Sequence, residues 1–234
     1  MGKLVAYSGF SATNYLEMPY NSDLDFGTGD FCVMGWVKDT STATNFFLQR
    51  RDTSFGVDFG LIGVGSEFQF ETFGVDVQSV GGGRSSGVWK FVCGLRRSST
   101  LELYVDGALN NTGSNSANLT NTSAILTVGV STIVSGAASL ASLALLRISA
   151  TAPTAEQIAK IYNDEKVLFQ DNAQATLYGS SDAVTALAHD PDTDLLHVGT
   201  SAGRSVFDGL RRVGNTATSV STAISASGGL VVEK

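Results

Sequence analysis

Residues Glu67-Phe68-Gln69-Phe70-Glu71 set two carboxylates on one side of an alternating strand, as acid and nucleophile work on a glycosidic bond requires. Residues four apart on a strand lie about 13 Å apart at Cα, so twist and rotamers would have to draw these two together. Gln69, which carries no charge, stands between them. The expectation is an exposed polar face of an amphipathic strand and no catalytic residue.

Asp190, Asp192 and Asp194 alternate as in a calcium loop, yet Leu195 stands where the sharp turn needs Gly, and no Glu follows at the twelfth position. A hairpin turn accounts for them more simply. They are the weak metal candidates, and calcium is the one cofactor left open. His189 and His197 flank this turn without a Cys or second His beside them, which argues against a metal or triad role. Gly81-Gly82-Gly83-Arg84-Ser85-Ser86 reads as a mobile loop; a phosphate cradle would need a strand-to-helix transition after it. The sequons at Asn110, Asn118 and Asn121 carry little weight without a secretory signal. Cys32 and Cys93 belong to no CxxC or Cys/His pattern; pairing across a sheet stays open, and burial as small hydrophobes is the simpler reading.

The 234 residues carry a formal charge of −7. Arg50-Arg51, Arg96-Arg97 and Arg211-Arg212 are isolated pairs that read as solvated charges at strand ends, so nothing resembles the basic patch a nucleic acid demands. Residues 1–16 lack the charged-then-apolar pattern of a signal peptide, and no apolar run reaches membrane-spanning length. The expectation is a chain made in the cytoplasm, with no membrane insertion.

The elements that must position these groups are short strands. From Tyr7 to Ile148, apolar runs alternate with Gly, Asn, Asp, Ser and Thr clusters at sandwich spacing. In Leu101–Leu109, Asp106-Gly107 is a favoured two-residue hairpin turn, and a second hairpin is expected over Phe59–Phe73, turning near Gly63–Ser66. Phe31–Val37 and Val88–Leu95 are apolar on both faces, so a C-terminal segment or another subunit is expected to cover the second face. Pro153 and the Thr154/Gln157 capping pair open a helix over Thr154–Leu168, whose stripe of Ala155, Ile158, Ile161 and Tyr162 suits packing on the sandwich. Residues 170–234 are poorer in large apolar groups. Val184–His189 and Leu195–Gly199 form a hairpin like part of one propeller blade, and Ser219–Val232 suits an edge strand that another chain completes.

Tyr15–Lys38, Trp89–Gly107 with its YVDG turn, Leu126–Val130 and Leu145–Tyr162 together resemble the laminin-G-like branch of the concanavalin A-like lectin/glucanase superfamily. The likeness covers about residues 7–168 and implies an all-β, two-sheet antiparallel jelly roll with one closing helix. It also implies calcium near the rim, to which Asp23, Asp25 or Asp30 would contribute. Some members are retaining glycoside hydrolases with Asp at the centre of their acidic strand, and Gln69 departs from that pattern. Thr185–Val213 resembles sequence in bacteriophage virion proteins. The expectation is a laminin-G-like domain at 1–168 and a β-rich extension at 169–234 for docking or oligomerisation. The function expected is a non-catalytic virion structural protein of tail-fibre, head-fibre or decoration type. Its partners would be itself, as a homo-oligomer with a trimer favoured, other virion proteins and a host surface glycan. The alternatives are a carbohydrate-binding lectin-like module with its binding residues unknown and, far behind, a glycoside hydrolase.

Overall fold

The computed structural model describes residues 6–52, 56–131, 138–169, 176–181, 183–209 and 211–220. They fall into two compact units, one within residues 4–169 and one within 170–234. Among them no helix is long and apolar enough to cross a membrane.

The first unit is a sandwich of two antiparallel sheets. Its strands are β1 (Leu16–Met18), β2 (Phe31–Lys38), β3 (Asn45–Arg51), β4 (Val57–Val64), β5 (Glu67–Thr72), β6 (Val75–Gln78), β7 (Trp89–Arg97), β8 (Thr100–Val105), β9 (Ala108–Ser114), β10 (Ile125–Val128) and β11 (Ser142–Ser149). One sheet runs β1-β10-β3-β4-β5-β6 and the other β11-β2-β7-β8-β9. Both anticipated hairpins form: β8 and β9 turn through Asp106 (φ 51°) and Gly107 (φ 80°), the positive-φ pair that matches strand twist. β4 and β5 turn between Val64 and Glu67.

The core between the sheets holds Phe31, Phe47, Phe59, Phe68, Phe70, Leu101 and Leu103, all buried. Phe31 stands centrally, with ring centroids 5.3 Å from Phe59 and 5.9 Å from Phe70. Each such side chain stabilises the fold by roughly 1.5–3 kcal/mol through burial. Gly94 is required on β7, because a Cβ there would overlap the Phe70 ring reaching across from the opposite sheet.

The second apolar face of β2 and β7 is covered, and the cover corrects the expectation of a C-terminal segment or second subunit. Helix α1 (Ala155–Glu165) and the 3-10 turn Lys166–Phe169 lie over it. Thr154 and Gln157 complete the capping box, a contribution of about 1 kcal/mol. Ile158 and Phe169 bury against Cys32, Met34, Trp36, Phe91 and Cys93, and Phe169 stacks on Trp36 at 4.2 Å. The Trp36 indole donates to Glu165 (2.8 Å), and Arg147 pairs with the same carboxylate. Both cysteines are free and buried beneath the helix, where desolvation pushes the Cys32 thiol up to about 11.

Two of the three arginine pairs differ from their expected role, while Arg211-Arg212 is exposed as expected. Arg50, Arg51 and Arg96 are buried, as is Arg84, and Arg50, Arg84 and Arg96 tie loops to the sandwich. Arg96 donates to the carbonyls of Gly27, Gly29 and Ala117, joining the β1–β2 and β9–β10 connections. Arg84 pairs with buried Asp39 and donates to Ala43 O and Gly65 O, so the 81–86 segment is pinned by its arginine and is not a loose loop.

The second unit contains β12 (Val184–Asp190), β13 (Leu195–Thr200), β14 (Gly203–Asp208) and β15 (Arg211–Thr216), paired in that order as an antiparallel meander. The β12–β13 hairpin was legible in the sequence, and the other two strands were not. Val198, Val206 and Phe207 are buried, whereas Val184, Leu187 and Val213 are exposed. Of the edge strand expected over 219–232, everything past Val220 lies outside the described residues.

Candidate functional site

At one end of the sandwich, two connections and the start of β4 meet over the buried Arg50 guanidinium. Arg50 Nη2 pairs with Asp25 (2.5 Å) and Nη1 with Asp58 (2.8 Å), and both nitrogens reach the 119–121 backbone through Leu119 O and Asn121 O. Asp25 comes from the β1–β2 connection, Asp58 from the start of β4 and Asn121 from the β9–β10 connection. One buried cation therefore fixes the spacing of groups far apart in sequence. Asn121 adds the cross-links: its amide N–H donates to Asp25 (3.0 Å) and its side-chain nitrogen to Asp58 (3.2 Å).

Above this floor lies a cavity of about 460 Å³. Its polar lining includes Asp52, Asp58, Asn118, Thr120 and Asn121, with Gly56 beside them. Phe73, from the β5–β6 turn, stands at its edge with 55% of its surface exposed. Asp52 accepts from the Gly56 amide (3.0 Å).

The carboxylates differ in proton affinity. Burial pushes Asp58 up to about 6 against the pull of Asn121 and Arg50. Burial also acts to raise Asp25, but the Asn121 amide, the Tyr20 hydroxyl and Arg50 together hold it below the ordinary carboxylate range. The site thus combines hydrogen-bond acceptors, amide groups and one bare aromatic ring in a concave surface, the combination that binds a polyhydroxylated ring.

Of the residues singled out in the sequence, Glu67 and Glu71 share a face but serve separate ends. Glu67 accepts from the Ser79 hydroxyl (2.6 Å) and the Gly82 amide (2.7 Å), anchoring the glycine loop. Glu71 is 5% exposed, contrary to the exposed polar face expected of this strand. It lies in one row with Gln49 and Gly60, and the Gln49 amide crosses the bare glycine to donate to both its oxygens (3.0 Å). Asp190 accepts from Asp192 N and the Thr193 hydroxyl, and Asp194 pairs with His189 at 2.8 Å, so these side chains build the turn. Asp23 lies in the 3-10 turn Ser22–Leu24 that Asp25 ends, and Asp30 accepts from Ser98 N. No three His, Cys, Asp or Glu side chains are grouped to hold a metal ion among the described residues. Asn118 and Asn121, noticed only as sequons, turn out to line the cavity. Arg50, Asp52, Asp58 and Phe73 were missed. The only sequence signal for them was the run of polar turn residues around each strand end.

Two stacked antiparallel sheets with a polar, aromatic-edged cavity at the loop end define a lectin-like β-sandwich. Residues 10–159 match the Concanavalin A-like lectin/glucanases superfamily, and the chain belongs to it. No curated protein matches the sequence. Among solved structures, the binding domain of botulinum neurotoxin DC, in complex with rat synaptotagmin II, aligns at a TM-score of 0.54 and 11% identity over 88% of this chain and 56% of that one. A Trypanosoma rangeli sialidase in complex with a difluorinated nonulosonic acid aligns at 0.54 and 14% over 72% of this chain and 28% of its own. The chain therefore spans about half of the one and about a quarter of the other, and at these identities the likeness establishes the fold.

Proposed function

We propose that the sandwich is a non-catalytic, lectin-like module that binds carbohydrate in the cavity over Arg50. The observation carrying this reading is Phe73, an exposed ring on the lip of a cavity lined by carboxylates and amides. Such a ring offers an apolar face to the C–H face of a pyranose while the polar lining takes its hydroxyls. The arrangement of Glu67 and Glu71 favours binding over hydrolysis: one is held by the glycine loop and the other is buried against Gln49. A glycan array followed by titration calorimetry tests the reading. Phe73→Ala is expected to weaken any glycan bound by at least about tenfold, roughly 1.4 kcal/mol. Absence of all glycan binding at high micromolar protein would overturn it.

A second reading, self-association of the C-terminal unit on a virion, is favoured by the few apolar side chains that unit buries: Val198, Val206 and Phe207 among its described residues. Display on a particle, and the homotrimer proposed with it, rest on the sequence likeness at 185–213. Light scattering is expected to give an oligomer for the whole chain and a monomer for residues 1–168. Two monomers would end this reading.

A further inference from the structure

The C-terminal unit holds a cavity of its own, of about 310 Å³, lined by Arg204, Thr216, Thr218 and Val220. Strand register brings these groups together. Arg204 on β14 stands between Gly199 on β13 and Thr216 on β15, so the three share one face, and Thr218 follows Thr216 by two residues. Gly199 leaves this row bare and the Val220 side chain lies over it, since a Cβ on the glycine would overlap Val220. Val220 is itself held: its amide donates to Thr200 O, and its carbonyl accepts from the Thr185 hydroxyl. An apolar wall fixed to the sheet therefore stands beside a guanidinium and two hydroxyls. Among the described residues, neither the Arg204 side chain nor the hydroxyl of Thr216 or Thr218 has a hydrogen-bond or ion-pair partner. The acids of β12–β15 stand at the far end of the meander, Asp190 opposite Leu195 and Asp208 opposite Arg211. Each is four residues along from the Gly199–Arg204 row, about 13 Å at Cα and beyond the screening length of about 8 Å at physiological salt.

We infer that this cavity is a second binding site, separate from the one over Arg50, and that it takes the carboxylate of an acidic sugar. A carboxylate accepts from both N–H edges of the Arg204 fork and keeps lone pairs for the Thr216 and Thr218 hydroxyls. The backbone favours a sugar over a peptide as the carrier. β14 is paired on both sides, and the Val220 N–H and C=O are engaged, so a peptide would find no main-chain partners for its own amides beside Arg204. A uronic acid brings hydroxyls for the threonines and C–H groups for Val220. The volume sits at the small end of ligand pockets, which start at roughly 300 Å³, and suits one sugar unit.

Digalacturonate, neutral digalactose and an N-acetylated Gly-Asp-Gly amide, each titrated into the full chain at pH 7, test the site. Digalacturonate is expected to bind, and Arg204→Gln to weaken it about tenfold or more while leaving any digalactose binding unchanged. Arg204 is exposed, so its substitution leaves the fold intact, and an unchanged thermal melt checks this. Arg204→Lys keeps the charge without the fork and is expected to fall between the two. Thr216→Val, which removes one hydroxyl at nearly constant shape, is expected to weaken digalacturonate about threefold. Arg211→Gln, five residues from Thr216 along β15, is the control for charge alone and is expected to change nothing. If Arg204→Gln and Arg211→Gln weaken binding equally and moderate salt abolishes it, the attraction is diffuse and the inference falls. It falls also if digalacturonate does not bind, or if its binding is indifferent to Arg204. If the peptide binds as tightly as the sugar and depends equally on Arg204, the acidic sugar is overturned in favour of a protein partner. None of these outcomes decides the site over Arg50, which shares no residue with this one.

Discussion

Arg84→Ala is expected to cost about 3–5 kcal/mol, a large share of the 5–15 kcal/mol typical of a folded domain. Arg84 is fully buried, and it pairs at 2.5 Å with Asp39, whose side chain is equally inaccessible. Asn45 and the Ser41 amide also donate to that carboxylate, but neither brings a charge. Removing the guanidinium therefore leaves an anion in the protein interior without its cation, and strips donors from the Ala43 and Gly65 carbonyls. Gly63 shows how closely the arginine is packed, since a Cβ there would overlap it. Urea denaturation checks the effect as a lower midpoint. The double variant Arg84→Met with Asp39→Asn should recover part of the loss, because it removes the stranded charge. A loss under about 1 kcal/mol in Arg84→Ala would show that water reaches Asp39 freely.

This ion pair also marks where the sequence stops being informative. Local signals were legible because their physics is local. Asp106-Gly107 needs only positive φ at two adjacent positions, and the Thr154/Gln157 box needs only a spacing of three. The two-sided apolar character of β2 and β7 was equally plain, as was the apolar stripe of α1. What could not be read was that one covers the other, since nothing in either segment specifies its partner. Arg50 and Arg96 look like charges on strand ends, and Arg84 like part of a mobile loop, because their acceptors lie 8 to 71 residues away, many of them backbone carbonyls without any sequence signature.

The candidate site was obscured for the same reason. Asp25, Asp58, Asn121 and Phe73 lie on four separate connections or strand ends and converge only once the sandwich closes around Arg50. Phe73 is especially hidden. Phe68 and Phe70 alternate into the core, and the β5–β6 turn breaks that alternation, leaving the third ring outside. In the C-terminal unit, β14 and β15 (GRSVFD, RRVGNT) lack clean alternation, so their strand character comes from pairing in a meander, β14 with β13 and β15 with β14.

Glu71→Gln is expected to be close to neutral in stability at pH 4.5 and to raise stability by about 3 kcal/mol at pH 8. Burial pushes the Glu71 carboxyl up to about 7, with the Gln49 hydrogen bonds and Arg51 opposing and Asp76 adding to the rise. The folded protein thus holds this proton more tightly than the unfolded chain. Its contribution is fully present below the ordinary glutamate value of about 4.5 and is lost as pH rises through about 7. The neighbouring geometry agrees, because the buried Gln49 Oε1 has no partner while Glu71 is a carboxylate. A protonated Glu71, or a glutamine in its place, can supply the missing donor by a small rotation of the pair. Asp58, also raised by burial, biases stability the same way, and depressed Asp25 acts oppositely at lower pH, so the two proteins must be compared at each pH. Thermal melts of both across pH 4.5–8 isolate Glu71 as the growing difference between two curves. A constant offset would mean that Glu71 is ionised throughout this range, held by Arg51 and not by its burial.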